Sequence, residues 1–197
     1  MLTIVITAME DELESITQIS QKNEFGHHQI DSTVFVICGI GKVNASHVTT
    51  KIIHQYGKEN IRKVINVGSA GSFTKTIGTT VKATQFVYGD VDVTAFNYKF
   101  GQIPKMPEVY GNNIGELVVT CDSFITDIAR IKQNFPTASA IDMEACSIAQ
   151  VCHKEAIDFK ALKIITDNAD QNAALDFRIN LKEKMKHCFE IILKGEY

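Results

Sequence analysis

Three carboxylates in this sequence, Glu12, Glu144 and Asp167, fall at the ends of apolar runs that read as strands. Two carboxyls held apart, one carrying a proton and one ionised, are how a fold installs a general acid and a general base at neutral pH. Each also has an ordinary reading: Glu12 and Glu144 complement the dipole of a helix start, and Asp167 caps a helix. Small residues lie between them in Gly39-Ile40-Gly41-Lys42 and Gly68-Ser69-Ala70-Gly71. The first string lacks the third glycine of a dinucleotide fingerprint, and Val43 stands where a P-loop requires Ser or Thr. The second reads either as a tight turn needing positive φ or as a wall thinned so that its backbone approaches a ligand. His27, His28, His47, His54, His153 and His187 have no metal-ligand spacing, so no metal site is expected. The 5 cysteines contain no C-x-x-C pair and read as buried, reduced thiols. With no G-x-S-x-G elbow and no cysteine signature, Ser69 and Cys146 are weak nucleophiles and covalent catalysis is not indicated.

Elements that would position these groups alternate along the chain. Strand patterns at Leu2 to Thr7, Thr33 to Cys38, Lys63 to Val67, Val81 to Tyr88, Glu116 to Thr120 and Phe159 to Thr166 are interleaved with helical ones. The helices are expected at Glu10 to Ile19, Val43 to Tyr56, Asp127 to Gln133, Glu144 to His153 and Phe177 to Leu193. This order predicts an α/β, three-layer fold with a mixed, mostly parallel central sheet flanked by helices, whose ligands collect at the carboxyl ends of strands. The stretch from Gly89 to Asn113 is irregular and long enough to be a functional or interface loop.

A chain of 197 residues, 45% hydrophobic and 22% charged, is sized for a single domain over 1–197. Lys and Arg number 20 against 23 acidic residues and are scattered, which argues against nucleic acid as a partner. The start MLTIVITAMEDELES has no basic n-region, and no apolar run approaches a membrane span, so a cytoplasmic protein without a membrane partner is expected.

Taken in order, AMEDE, GIGKVNA, NVGSAG, DVDVTAFNYKFGQIPKMP, DSFI, FPTASAIDMEACSIAQVCH and TDNAD resemble the bacterial 5'-methylthioadenosine/S-adenosylhomocysteine nucleosidases, across nearly the whole chain. The resemblance implies a nucleoside phosphorylase-like fold and hydrolysis of the N-glycosidic bond of an adenine thionucleoside, with no cofactor. It implies that Asp167 protonates adenine N7 with a raised pKa and that Glu12 activates the attacking water. Glu144 would hold the ribose hydroxyls, with Met143 against the sugar. Ser69 would bond near the water, with Ala70 and Gly71 keeping that wall thin. Phe124 would stack on adenine, the Ile125 backbone would read its edge, and Ser123 belongs to the same stretch. Met9, Ile40 and Phe177 would line the sugar and 5'-alkylthio pocket. A homodimer is implied, in which the segment of Val93, Phe96 and Tyr98 reaches the neighbour's 5' pocket. Exposing Phe96 and Phe100 in one loop without a partner would be costly, which favours the same arrangement.

The sequence departs from the family pattern in places. Lys163 stands where an arginine is expected to orient water and base; it keeps the charge and loses the bidentate fork. Asp142 and Thr166 replace Glu and Ser, and the chain is shortened between Glu12 and Gly39 and between Pro107 and Asp122. Three other readings stay open: a purine nucleoside phosphorylase, a nucleosidase for another adenine nucleoside such as a futalosine derivative, and a weakened adenosine-binding module. Arg62, Arg130 and Arg178 lie away from the glycine strings, where a phosphate clamp would need them, which favours hydrolysis.

Overall fold

Leu2–Thr7 carries five consecutive buried residues after its first, the pattern of a strand covered on both faces. In the computed structural model it is β1. It is followed by α1 (Glu10–Thr17), β2 (Gln21–Lys22), β3 (His28–Ile30), β4 (Thr33–Ile37), α2 (Lys42–Tyr56), β5 (Ile61–Gly71) and β6 (Thr80–Tyr88). After these come β7 (Tyr110–Gly111), β8 (Glu116–Thr120), α3 (Ala129–Asn134), β9 (Ala140–Asp142), α4 (Ala145–Glu155), β10 (Asp158–Asp167) and α5 (Ala173–Leu193). The structure describes residues 1–112 and 114–197, and Lys182 and Glu183 by backbone alone.

The strands join in one mixed sheet. β4, β1, β5 and β10 run parallel side by side, as do β6, β8 and β9. The antiparallel pairs β10–β6 and β5–β9 link the two groups, so that β5, β10, β6, β8 and β9 form a ring. Alternation along β1 divides the core between two helix layers. Val5 packs with Leu13 and Ile16 of α1 and with Met185 and Phe189 of α5. Ile4 and Ile6 pack with Ile52 of α2 and Ile148 of α4 on the opposite face.

Every strand and helix expected from periodicity is present, with shifted ends and additions. Gln21–Lys22 and His28–Ile30 form an edge hairpin inside the segment marked as shortened after Glu12. The short strands β7 and β9 also escape periodicity, because two or three residues carry no period. α5 starts four residues earlier than expected, at Ala173, and α4 starts at Ala145 with Glu144 as its N-cap residue. The reading of GSAG as a turn is corrected: Gly68 to Gly71 continue β5, and neither glycine has a positive φ. The loop from Gly89 is partly ordered by a 3-10 turn at Thr94–Phe96 and by β7, while its far end, Asn113, lies outside the described residues. Phe96 is 73% exposed, but Phe100 is half-buried. Its ring meets Phe135 at 6.0 Å, and the Arg130 guanidinium lies over it, so Phe100 needs no second subunit to cover it. All five cysteines are buried and unbridged. Among the described residues, no helix is long and apolar enough to cross a membrane.

Candidate active site

The carboxyl ends of β1, β5, β9 and β10 open into a cleft of about 170 Å³. Met9, Glu12, Ile40, Ser69, Ala70, Gly71, Phe124, Met143, Glu144, Asp167 and Phe177 line it, all singled out in the sequence. A smaller recess continuing past Asp167 is walled by Ser123, Phe124 and Ile125. Phe124 and Phe177 stand edge to face at the mouth, 6.1 Å apart. Val93, Phe96 and Tyr98 do not line the cleft of this chain.

Glu12 is 3% exposed and held from two sides. Its Oε2 accepts the backbone N–H of Ala8 (2.9 Å) and Met9 (3.2 Å), the free donors at the start of α1. Its Oε1 accepts both the N–H and the hydroxyl of Ser69, each at 2.9 Å. Four donors on one carboxylate fix its orientation. The dipole reading of Glu12 is thus true but incomplete, since the side chain also crosses to β5.

β5 explains why the chain spends glycines in a strand. A Cβ on Gly68 would lie 3.0 Å from Glu12 Oε1, and one on Gly71 would lie 2.6 Å from Asp167 Oδ1. The missing side chains make room for the two carboxylates. Gly71 is three residue steps along the strand from Gly68, roughly 10 Å, so the two acids face the cleft from opposite ends of one wall.

Asp167 ends β10 opposite Gly71. It does not cap α5, which begins six residues later. Its Oδ1 accepts the Ala169 N–H (2.9 Å) and its Oδ2 accepts the Thr166 hydroxyl (3.1 Å). Burial raises its pKa above the ordinary Asp value, against the pull of these two donors. Glu144 reaches back across the cleft, and its Oε1 accepts the Gly41 N–H at 2.8 Å. Burial first, then the negative charge of Asp142, pushes its pKa up to about 7, while Lys163 and the Gly41 bond pull the other way.

Behind this wall, Asp142 and Lys163 form an ion pair of 2.7 Å with both side chains 1% exposed. Asp142 also accepts the Thr120 hydroxyl (2.6 Å) and the Ala145 N–H (2.8 Å). Burial alone would lower the Lys163 pKa; the charges of Asp142, Glu144 and Glu12 outweigh it, and the net shift is upward. The expected role of Lys163 is therefore redistributed. Its ammonium bonds Asp142 and acts on Glu12 and Glu144 through its charge, without the planar fork by which a guanidinium grips a carboxylate with two parallel bonds. Asp142 is the main site residue that sequence reasoning passed over, and its signal was a second acid two residues before Glu144. Lys163, flanked by Leu162 and Ile164, is singled out by the family resemblance instead. Among the described residues, no group of three or more His, Cys, Asp or Glu is arranged to hold a metal ion.

A model of the phosphorylase superfamily matches residues 3–114 and 115–194. The 5'-methylthioadenosine/S-adenosylhomocysteine nucleosidase of Shewanella piezotolerans is 36% identical, over 88% of this chain and 89% of the relative. The enzyme of the same name from Staphylococcus carnosus is 34% identical over 96% of each. The chain belongs to the 5'-methylthioadenosine/S-adenosylhomocysteine nucleosidase family. A nucleosidase of that family from Neisseria meningitidis, solved in complex with methylthio-immucillin-A, superposes with a TM-score of 0.87 at 30% identity, covering 97% of this chain and 96% of that one. The family's nucleoside phosphorylase-like fold is thus the one described above.

Proposed function

We propose that the chain hydrolyses the N-glycosidic bond of 5'-methylthioadenosine and S-adenosylhomocysteine, releasing adenine and the 5-thio-substituted ribose. The observation that carries this reading is a cleft lined by Glu12, Asp142, Glu144 and Asp167 and, among its described lining residues, by no lysine or arginine. Breaking the bond leaves an oxocarbenium-like ribosyl cation, which this acidic wall stabilises. The buried carboxyl of Asp167, with its raised pKa, donates a proton to the departing adenine N7. Glu12, oriented by its four donors, takes a proton from the water that attacks the anomeric carbon. Glu144 accepts the ribose hydroxyls, and Met143 packs on the sugar. Adenine lies in the recess of Ser123, Phe124 and Ile125, stacked on the Phe124 ring. Met9, Ile40 and Phe177 face the 5'-alkylthio group, with Ala70 and Gly71 along the sugar.

Phosphorolysis is disfavoured by the same lining, since a phosphate dianion would meet the Glu12 and Glu144 carboxyl groups and, among the described lining residues, no lysine or arginine to hold it. Arg62 is occupied with the Thr3 hydroxyl, and Arg130 pairs with Asp92. The reading extends to one nucleosidase domain over 1–197, acting in the cytoplasm in methionine salvage as a homodimer. The 73% exposed Phe96, between half-buried Val93 and Tyr98, supports the dimer, as an apolar tip offered to a neighbour's 5' pocket. Incubation with methylthioadenosine, with and without phosphate, tests the function. Adenine and a reducing sugar are expected in both; a sugar 1-phosphate would identify a phosphorylase, and binding without turnover a silent module. Sedimentation at assay concentration tests the dimer, and a monomer that turns over fully would refute it.

A further inference from the structure

The Glu144 carboxylate has one protein donor among the described residues, the N–H of Gly41. That N–H belongs to a short loop leading into α2, and what holds the loop in place is the next residue. The Lys42 N–H donates to Asp122 Oδ1 at 2.9 Å. Its ammonium lies 2.7 Å from Asp90 Oδ1 and 3.3 Å from Asp122 Oδ2. The Asp122 N–H closes the circuit by donating to Asp90 Oδ2 at 2.7 Å. One cation therefore ties together the start of α2, the chain leaving β6 and the chain leaving β8. Asp122 directly precedes Ser123 and Phe124, which line the adenine recess. Neither Lys42 nor Asp90 lines the cleft itself.

We propose that Lys42 is a positioning residue for the nucleosidase reaction. Clamped between Asp90 and Asp122, it aims the Gly41 N–H at Glu144 and locks the sugar-binding carboxylate to the adenine-binding segment. Without the ammonium, Asp90 and Asp122 are left as like charges side by side, and the two segments they anchor separate. Glu144 then loses its fixed donor and turns more freely, so it meets the ribose hydroxyls in fewer productive orientations. The effect falls on substrate binding, because the groups that move the protons, Glu12 and Asp167, are held by other elements.

This inference rests on the assignment of Glu144 to the ribose, and its test separates the two. Lys42→Met, Lys42→Arg and Asp90→Asn are assayed on methylthioadenosine and on its 3'-deoxy analogue, following adenine release. For Lys42→Met, KM for methylthioadenosine is expected to rise about tenfold with kcat within about threefold, as for loss of a ground-state binding interaction. The penalty should shrink to within about twofold on the 3'-deoxy analogue, which lacks a hydroxyl for Glu144 to grip. Lys42→Arg should recover most of the loss by keeping the cation, and Asp90→Asn should give a smaller rise in KM. Equal penalties on the two substrates, or a loss confined to kcat, overturn the role given to Lys42. Absence of adenine release by the unmodified protein overturns the nucleosidase reading itself.

Discussion

Gly71→Ala is the sharpest perturbation this site offers, because it adds one methyl group to the wall behind Asp167. The new Cβ would lie 2.6 Å from Asp167 Oδ1 and 3.1 Å from the Ala169 Cβ. Ordinary contact begins at 3.4 Å, so the carboxylate must retreat by about 0.8 Å. It has no slack for this, since Oδ1 is already bonded to the Ala169 N–H and Oδ2 to the Thr166 hydroxyl. A displacement near 1 Å at a catalytic group lowers turnover by about a hundredfold. Overpacking a close-fitting strand costs about 1–3 kcal/mol of stability, which leaves a foldable protein. Gly68→Ala is the graded partner: its Cβ meets Glu12 Oε1 at 3.0 Å, a shortfall of about 0.4 Å, and a smaller loss of kcat is expected. Steady-state adenine release and thermal melts on both variants provide the readout. A folded Gly71→Ala protein with kcat within about twofold of the parent, or one less affected than Gly68→Ala, refutes the argument that these glycines exist to seat the two acids.

Glu12→Gln and Asp167→Asn should each lower kcat by about a hundredfold to ten-thousandfold while leaving the fold intact, as judged by melting temperature; near-normal turnover in either removes its assigned role. Lys163→Met should destabilise the protein by about 3–5 kcal/mol in urea titrations, because it leaves Asp142 buried and unpaired. Adding Asp142→Asn should recover part of that loss, and a double variant less stable than the single would contradict the ion-pair account. Glu144, raised from 4.5 to about 7, makes the folded protein bind more protons than the unfolded chain between those values. Its contribution to stability is therefore full below pH 4.5 and lost as pH rises through about 7. Glu144→Gln should flatten that part of a stability-against-pH curve, and an unchanged slope would show that Glu144 does not titrate there.

Much of this architecture was legible in the residues because its signals are local. Runs such as Leu2–Thr7 and Glu116–Thr120 announce buried strands, and a strand's carboxyl end is where an α/β sheet gathers ligands, so Glu12 and Asp167 could be found from their neighbours alone. The ordered strings from AMEDE to TDNAD carried the family resemblance in the same way. Only the tertiary structure decided the remainder, because the deciding contacts join residues far apart in the chain. Gly68-Ser69-Ala70-Gly71 reads equally as a turn or as a thinned wall until β5 is seen between β1 and β10, where the glycines leave room for the Glu12 and Asp167 carboxylates. Lys163 reads as a weakened arginine until Asp142 is found 2.7 Å away. Lys42 reads as a failed P-loop lysine until Asp90 and Asp122 close around it. The order of residues sets which groups can ionise and which strand ends carry them. Which charges meet depends on the sheet's register, since burial makes an ion pair strong or ruinous according to the partner that folding brings within reach.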